Sequence, residues 1–280
     1  MRVLAIVCAR NEAVFMRSLI GGLIADGLDV VLIDHGSSDE TVELAASFLG
    51  RGLLAIRELP WGGRFSLAEQ LDAKRESIAA SDHEWIVHVD ADEWLSAPRS
   101  GQRLVDAIEI VDLLGYNCID FNEFVFVPNP GEDHRVEHHR ELAHRYYAYR
   151  PNGYTLHRAW RRDAQLDNRA GGGHALEGEL RPYPVPFVLR HYIALSEEHV
   201  VGKYLVRRFA RDEVLRGWHA DRILTTRDNL VFPPTSDPNL RAVRTGAPEE
   251  LDASAPRDDH YWHWGSHANA LAVASAGVRG

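Results

Sequence analysis

Short apolar runs alternate with amphipathic segments over the first 100 residues of the chain. Four strand-like runs lie at 3–9, 28–34, 53–59 and 84–90. The first is continuous and apolar, as in a strand that is buried on both faces, and the second is also expected to be buried. The segments between the four runs carry apolar residues at helical spacing. Strands that alternate with helices predict parallel β-α-β units. Such units build a doubly wound sheet whose ligand crevice lies at the carboxyl ends of the strands.

The predicted helices carry recognisable N-terminal signals. Asn11 follows the first strand and is expected to cap the helix after it. Ser37, with Glu40 three residues later, forms the sequence pattern of a capping box at the start of the second helix. The third predicted helix spans 66–81 and is strongly amphipathic.

Polar side chains follow the predicted strands at the points where these strands end. Because parallel strands end at one edge of the sheet, a single crevice is expected to collect these side chains. The predicted set consists of Arg10, Asn11, Glu12, Asp34, Asp90 and Asp92.

The acidic stretch after the fourth strand is the most specific signal for chemistry. Asp90, Ala91 and Asp92 form a D-x-D pattern, with Glu93 next to it. Side chains two positions apart along a strand point the same way, so both aspartates can face one cation. Mg²⁺ or Mn²⁺ prefers oxygen ligands and leaves positions open for phosphate oxygens. The alternative is a solvated acidic loop.

The pattern changes after residue 100. Alternating or apolar segments predict strands within 116–129, 152–162 and 186–195, the last ending near His191. Residues 169–180 are predicted to be a glycine-rich loop, and 196–218 one helix with Ser196 as its N-cap. The expected division is a first half at 1–100, a second half at 101–232, and a C-terminal tail or flap at 233–280.

Composition limits the binding partners and the cellular compartment that are expected for the chain. The 280-residue chain has a formal net charge of −10, which opposes bulk attraction to nucleic acid or an anionic membrane. Two cysteines in apolar runs make a disulfide framework improbable and favour a reducing cytoplasm. No run approaches the roughly 20 apolar residues of a transmembrane helix.

The motifs together resemble those of family 2 glycosyltransferases of the GT-A fold. The "RNE" loop after strand one, the "DHGSSDET" turn after strand two and the "DADE" after strand four occur in the family's order. The resemblance implies a GT-A α/β fold, a Rossmann-like, mixed and mostly parallel sheet flanked by helices, with an acceptor-binding region and a C-terminal flap. It also implies transfer of a sugar, of the hexosyl type, from a nucleoside diphosphate sugar to an acceptor hydroxyl, with inversion, at Mn²⁺ or Mg²⁺. On this resemblance, 1–100 is the nucleotide-sugar-binding half and 101–232 the acceptor-binding half.

The resemblance assigns roles to residues of the crevice. Asp92 is the expected direct metal ligand, His191 an additional one, and Asp90 contacts the ribose or the metal. The remaining residues expected to bind the sugar nucleotide are Ala9, Arg10, Asn11, Glu12, Asp34, Lys74 and Ala91. His35 stands where many relatives have a second acid, so uridine, guanosine and thymidine all stay open as the base.

The glycine-rich stretch supplies the expected catalytic base. Glu177, with Glu179 as second choice, follows the glycines about where similar enzymes place their catalytic carboxylate. Such a base takes the proton of the acceptor hydroxyl. His174 is a second metal candidate, and the "HYWHWGSH" stretch at 260–267 either closes over a saccharide or natural-product acceptor or anchors the tail in the core.

Other interpretations of the sequence stay open. A sugar nucleotidyltransferase usually has a glycine-rich loop after strand one, which is absent here. A sugar-nucleotide-binding protein without turnover would share the fold. A phosphohydrolase needs more carboxylates than the one cluster supplies. The histidines at 134, 138, 139 and 144 have a spacing that zinc could use, although salt-bridged surface is the simpler interpretation. Lys203, Arg207 and Arg211 are expected to form a helix stripe that is solvated or, as the alternative, meets a diphosphate or an anionic acceptor.

Overall fold

A computed structural model describes residues 1–151, 154–216, 218–223 and 225–264. His267, one of the expected aromatic-tail residues, lies outside these ranges. No helix in the described part of the chain is long and apolar enough to cross a membrane.

The first part of the chain folds as the sequence predicts. The strands are β1 (Val3–Ala9), β2 (Asp29–Asp34), β3 (Leu53–Glu58) and β4 (Trp85–Asp90), and they pair in parallel in the order β4-β1-β2-β3. The helices are α1 (Ala13–Ala25), α2 (Thr41–Ala46) and α3 (Leu67–Ala79). The first, second and fourth strands are buried along almost their whole length, which explains their continuous apolar runs.

The N-caps predicted for the first two helices, Asn11 and Ser37, are wrong. Asn11 adopts a left-handed conformation (φ 53°) and its side-chain oxygen accepts from Ser38 N, so α1 starts one residue later, after Glu12. Ser37 accepts from the backbone of Asn11 and therefore cannot cap α2. Asp39 accepts from Thr41 N instead. These side chains tie the loop after β1 to the loop after β2.

The second part of the chain extends the same sheet with mostly antiparallel strands. It contains β5 (Glu93–Ser96), α4 (Leu104–Leu113), β6 (Cys118–Phe126), α5 (His139–Leu142), β7 (Arg145–Tyr149), β8 (His157–Arg161), β9 (Asp167–Gly171), β10 (Ala175–Glu177), β11 (Phe187–His191), α6 (Glu197–Tyr204), α7 (Arg211–Leu215), α8 (Ala220–Ile223) and β12 (Arg241–Ala242). The order is β12-β7-β6-β8-β4-β1-β2-β3, while β11 pairs in parallel with β6 and antiparallel with β5.

The sheet is continuous across the expected boundary near residue 100. Strand β8 pairs with β4, and β6 pairs with β8, so both halves share one sheet. Part of the expected C-terminal segment also joins this body. Trp262 is 1% exposed in a cluster of buried residues, and Trp264 packs against that cluster. The anchoring role for this aromatic stretch is therefore confirmed for the described residues.

Two predicted elements differ from the structure. The glycine-rich segment forms the two-stranded β9-β10 hairpin rather than a loop, because Gly172 and Gly173 take the positive φ values of its turn. The helix capped by Ser196 ends at Tyr204 instead of continuing to 218. There the backbone of Phe65 bonds to Arg208 and Ala210, so tertiary pairing replaces helical hydrogen bonds. Arg207 consequently leaves the predicted stripe.

Candidate active site

A cavity of about 450 Å³ opens at the carboxyl ends of β1 and β4. The parallel register places Cys8 beside Asp90, which brings the loop after β1 to the D-x-D pattern. The cavity brings together six of the predicted site residues, Arg10, Glu12, Asp90, Ala91, Asp92 and His191. Six others do not line it: Ala9, Asn11, Asp34, Lys74, Glu177 and Glu179.

The two aspartates of the D-x-D pattern have different surroundings. Asp90 contacts Lys74 Nζ through Oδ1 at 3.3 Å and Arg158 through Oδ2 at 3.2 Å. Burial alone would raise the pKa of Asp90, but these two cations hold it well below its usual range. Because 39% of the side chain is still exposed, the carboxylate presents a negatively charged, fixed surface to the cavity.

His88 supports Asp90 from behind. Its Nε2 lies 2.8 Å from Lys74 Nζ and 3.4 Å from Asp90 Oδ1. Burial, together with Lys74 and Arg158, lowers the pKa of His88 to about 3, so the ring is neutral. Lys74, which lies on α3, thus contacts the D-x-D pattern through its ion pair with Asp90.

Arg158 is the buried cation beneath the acidic cluster. Its side chain is 2% exposed, donates to Gly173 O at 3.0 Å, and pairs with both Asp90 and Glu93. Glu93 is equally buried, and burial raises its pKa to about 7 despite the opposing charge of Arg158. A charge buried this deeply is stable only with its partner in place.

Replacing Arg158 should therefore destabilise the fold far more than replacing a surface arginine. We expect Arg158→Met to lower the free energy of unfolding by about 3–5 kcal/mol, because Glu93 loses its partner. Arg161 lies on the same strand, is 33% exposed and pairs with Asp112 and Asp163. Arg161→Met should cost about 1 kcal/mol or less. Urea unfolding measures both variants, and equal losses would contradict this view of the buried pair.

Asp92 lies deeper in the cavity wall and shares a cation with Glu12. Lys203 Nζ lies 2.7 Å from Asp92 Oδ2 and 2.9 Å from Glu12 Oε1, and all three side chains are 8–10% exposed. Burial alone would raise the pKa of Asp92, but Lys203 and His191 hold it well below its usual range. Lys203 is thus a buried ion-pair partner, and the predicted solvated stripe is wrong at this position.

His191 connects Asp92 to a second carboxylate. Its Nε2 lies 3.3 Å from Asp92 Oδ2, while its Nδ1 lies 2.6 Å from Glu123 Oε1. A histidine that donates from Nδ1 to a carboxylate has Nε2 directed at its other partner, as metal-binding histidines do. Without a metal, the two carboxylates instead raise the pKa of His191 well above its usual range, although burial opposes them.

The separation of Asp92 and His191 suits two ligands of one divalent cation. Two donor atoms on neighbouring positions of an octahedral ion lie about 3 Å apart, close to the separation of Asp92 Oδ2 and His191 Nε2. Both oxygens of Asp90 are already held by Lys74 and Arg158. The described residues contain no group of three or more His, Cys, Asp or Glu arranged to hold a metal. A cation here would need water or substrate oxygens to complete its shell.

The absence of a metal-binding group among the described residues also concerns the histidines with a zinc-like spacing. His134 is buried and lies 3.1 Å from Glu132, and His139 lies 3.2 Å from the carbonyl oxygen of Val136. Each ring thus has one such partner, while Nδ1 of His134 is buried without a hydrogen-bond partner in the described part of the chain. Within the described part of the chain, the four histidines form no metal-binding group.

The residues predicted around the nucleotide lie at one end of the site. Arg10 donates to His35 O and its guanidinium lies 3.6 Å from the centre of the Trp61 ring. Asp34 is buried beside this pair, and both of its oxygens accept from Ser37 N. Ala9 accepts from His35 N through its carbonyl oxygen and holds the loop in register. Trp61, Arg10 and Asp34 thus form one group of aromatic and charged side chains next to the cavity.

Glu177 and Glu179 do not reach the cavity. Both side chains are exposed, and neither belongs to the lining. The tight turn of the β9-β10 hairpin instead brings Gly171, Gly172 and His174 to the cavity wall and leaves Glu177 beyond it. The structure therefore does not support the predicted catalytic position, although it does confirm that this segment borders the site.

Aromatic side chains also line the cavity, and one of them, His260, belongs to the C-terminal segment. The ring of His260 stacks on Tyr149 with a centroid distance of 4.0 Å, and its Nδ1 lies 2.7 Å from the hydroxyl of Tyr147. Tyr154 and Trp218 also line the cavity. His263 does not line the cavity. Flat, partly apolar rings of this kind suit the apolar faces of a sugar or of another ring.

Sequence patterns did not reveal several residues of the site. Glu123 and Arg158 lie inside β6 and β8, so a charged residue within a predicted strand was the available signal. A charged residue within an apolar strand pattern predicts a buried partner. Trp61 lies in a loop without periodicity and carries no such signal.

Comparison with known proteins agrees with this geometry. The sequence model described as Glycosyl transferase family 2 matches residues 4–164, more than half of the chain. No curated protein matches the chain. Among solved structures, S. aureus TarS is similar at 14% identity and a TM-score of 0.42, over 82% of this chain and 43% of that chain.

Two structures of S. aureus TarS 1-349, one of them in complex with UDP, match at 16% identity and a TM-score of 0.33. Each covers 46% of this chain and 36% of the TarS chain, so the present chain spans less than half the length of these neighbours. The family match includes β1 to β4 and the D-x-D pattern. The chain therefore belongs to glycosyl transferase family 2 and has the GT-A fold.

Proposed function

We propose that this protein is a glycosyltransferase that transfers a hexosyl-type sugar from a nucleoside diphosphate sugar to a hydroxyl group of a saccharide or natural-product acceptor, with inversion. The observation that carries the proposal is the position of Asp92. It follows the last strand of the parallel sheet, lines the cavity and lies 3.3 Å from His191. A ligand crevice at the carboxyl ends of parallel strands suits a nucleotide.

The donor is assigned to the end of the site that holds Arg10. Trp61 and Arg10 offer a flat surface to a nucleobase, and Asp34 lies beside them with its carboxylate fixed by Ser37 N. Asp90, exposed toward the cavity and fixed by Lys74, is suited to accept hydrogen bonds from the ribose. Uridine, guanosine and thymidine all stay open as the base.

Asp92 and His191 are the residues that would hold Mn²⁺ or Mg²⁺. A cation at this position would neutralise the charge that develops on the departing diphosphate. Glu123 accepts from His191 Nδ1 and so orients the ring for this purpose.

Glu123 is also our candidate for the general base. Five carboxylates line the cavity, and four of them contact a lysine or arginine: Glu12, Asp90, Asp92 and Glu93. Among the described residues, the carboxylate of Glu123 contacts the charged or polar side chain of His191 alone, through Oε1, which leaves its other oxygen for an acceptor hydroxyl. A single displacement needs one such base to take the proton while the hydroxyl attacks the anomeric carbon.

A cytoplasmic location belongs to the same proposal. Cys8 and Cys118 are both buried and unpaired, as in proteins of reducing compartments.

A thermal-shift screen tests the proposed donor class. We expect one series among UDP-, GDP- and dTDP-sugars to raise the melting temperature, and to raise it further with Mn²⁺, because binding to the native state stabilises it. The sugar-free nucleoside monophosphates serve as controls. The proposal fails if no sugar nucleotide raises the melting temperature, and its metal part fails if the rise is the same in EDTA.

A further inference from the structure

Lys203 occupies the position where a cation is expected. It lies in the last turn of α6, and its ammonium bridges Asp92 and Glu12 at 2.7 and 2.9 Å. The side chain is 9% exposed. No other lysine or arginine contacts these two carboxylates among the described residues. The ammonium therefore supplies the charge that makes two neighbouring buried carboxylates compatible.

The pair of carboxylates is only partly satisfied by this one ammonium. Glu12 Oε2 is buried and has no hydrogen-bond partner in the part of the chain that the structure describes. An unpartnered carboxylate oxygen in a buried site carries a desolvation cost of about 1–3 kcal/mol, and more when it is charged. A single ammonium therefore leaves one carboxylate oxygen of the site without a partner.

A divalent cation and the ammonium of Lys203 compete for the same carboxylate, Asp92. Lys203 Nζ and His191 Nε2 approach the same atom, Asp92 Oδ2, so a cation held by Asp92 and His191 would lie close to the ammonium. Two like charges a few ångströms apart repel strongly in a partly buried site, where the effective dielectric constant is well below that of water.

We propose that Lys203 is a resident counter-ion that a divalent cation must displace from Asp92 and Glu12. The inference rests on the proposed metal site and adds a specific consequence. Lys203 lowers the affinity of the free enzyme for the cation. A lysine on a flexible four-carbon stem can leave the carboxylates without unfolding α6.

Titration of Mn²⁺ alone into the metal-free full chain tests this proposal. Isothermal calorimetry at one fixed near-neutral pH should show that Lys203→Met binds Mn²⁺ at least about tenfold more tightly than the wild type, because a repelling charge is removed. Mn²⁺ should also raise the melting temperature of this variant more than that of the wild type. Lys203→Gln repeats the measurement with a polar side chain in case the methionine variant folds poorly.

Two controls separate this effect from general loss of positive charge. Lys203→Arg keeps the charge and should bind Mn²⁺ within about twofold of the wild type. Arg207 lines the same wall, and its guanidinium lies 4.6 Å from the Phe65 ring centre and forms no ion pair with Asp92 or Glu12. Arg207→Met should increase the affinity much less than Lys203→Met does.

The outcomes distinguish this inference from the proposed function. Unchanged or weaker Mn²⁺ binding in both Lys203→Met and Lys203→Gln would overturn the counter-ion role while leaving a metal site at Asp92 in place. The absence of Mn²⁺ binding in the wild type and in every variant would overturn both the counter-ion role and the metal part of the proposed function.

Discussion

Glu123→Gln is expected to lower the rate of sugar transfer by about 10²–10⁴-fold, the usual contribution of a general base. The amide keeps the shape of the side chain and can still accept from His191 through its oxygen, but it cannot take a proton from the acceptor. Donor affinity should stay within a few-fold of the wild type, since Glu123 contacts neither Asp92 nor Arg10. Single-turnover transfer and donor titration measure the two effects separately.

Glu177→Gln is the matched control, because the sequence favours Glu177 as the base and the structure favours Glu123. Its side chain is exposed and does not line the cavity, so transfer should stay near the wild-type rate. A large loss in Glu177→Gln together with a small loss in Glu123→Gln would return the catalytic role to the hairpin. That result would require β9 and β10 to move when the acceptor binds.

Local sequence patterns were sufficient to predict the parallel half of the fold. The strands ending at Ala9, Asp34 and Asp90 are continuous apolar runs because helices or further strands cover both of their faces. The motif order then places the D-x-D pattern at the sheet edge, where the structure has it. Five of the six residues in the cavity that were predicted for the site lie within the first 100 residues.

The ion pairs of the site and the end of the helix after Ser196 could not be predicted, because they depend on pairing between residues far apart in the sequence. Arg158 and Glu93 are 65 positions apart, Lys203 and Asp92 are 111 apart, and no local periodicity connects such partners. The helix after Ser196 ends because Phe65, far away in sequence, pairs with the backbone around Phe209. Glu177 was expected by analogy of position after the glycines, whereas the tight hairpin turns its side chain outward.

Asp92→Asn is expected to remove most of the Mn²⁺-dependent gain in donor affinity. The amide cannot serve as an anionic ligand, and Lys203 then pairs with Glu12 alone. We expect a loss of at least about 100-fold in donor affinity with Mn²⁺, or about 2.8 kcal/mol. Asp90→Asn is the matched control: it weakens donor binding but keeps the ratio of affinities with and without Mn²⁺, because Asp90 is held by Lys74 and Arg158.

Calorimetric titration of the donor selected by the thermal-shift screen, with Mn²⁺ and with EDTA, compares the wild type, Asp92→Asn and Asp90→Asn directly. The account predicts that the gain from Mn²⁺ is large in the wild type and in Asp90→Asn and disappears in Asp92→Asn. An undiminished gain in Asp92→Asn would contradict a cation held by Asp92 and His191, and with it the proposed organisation of this active site.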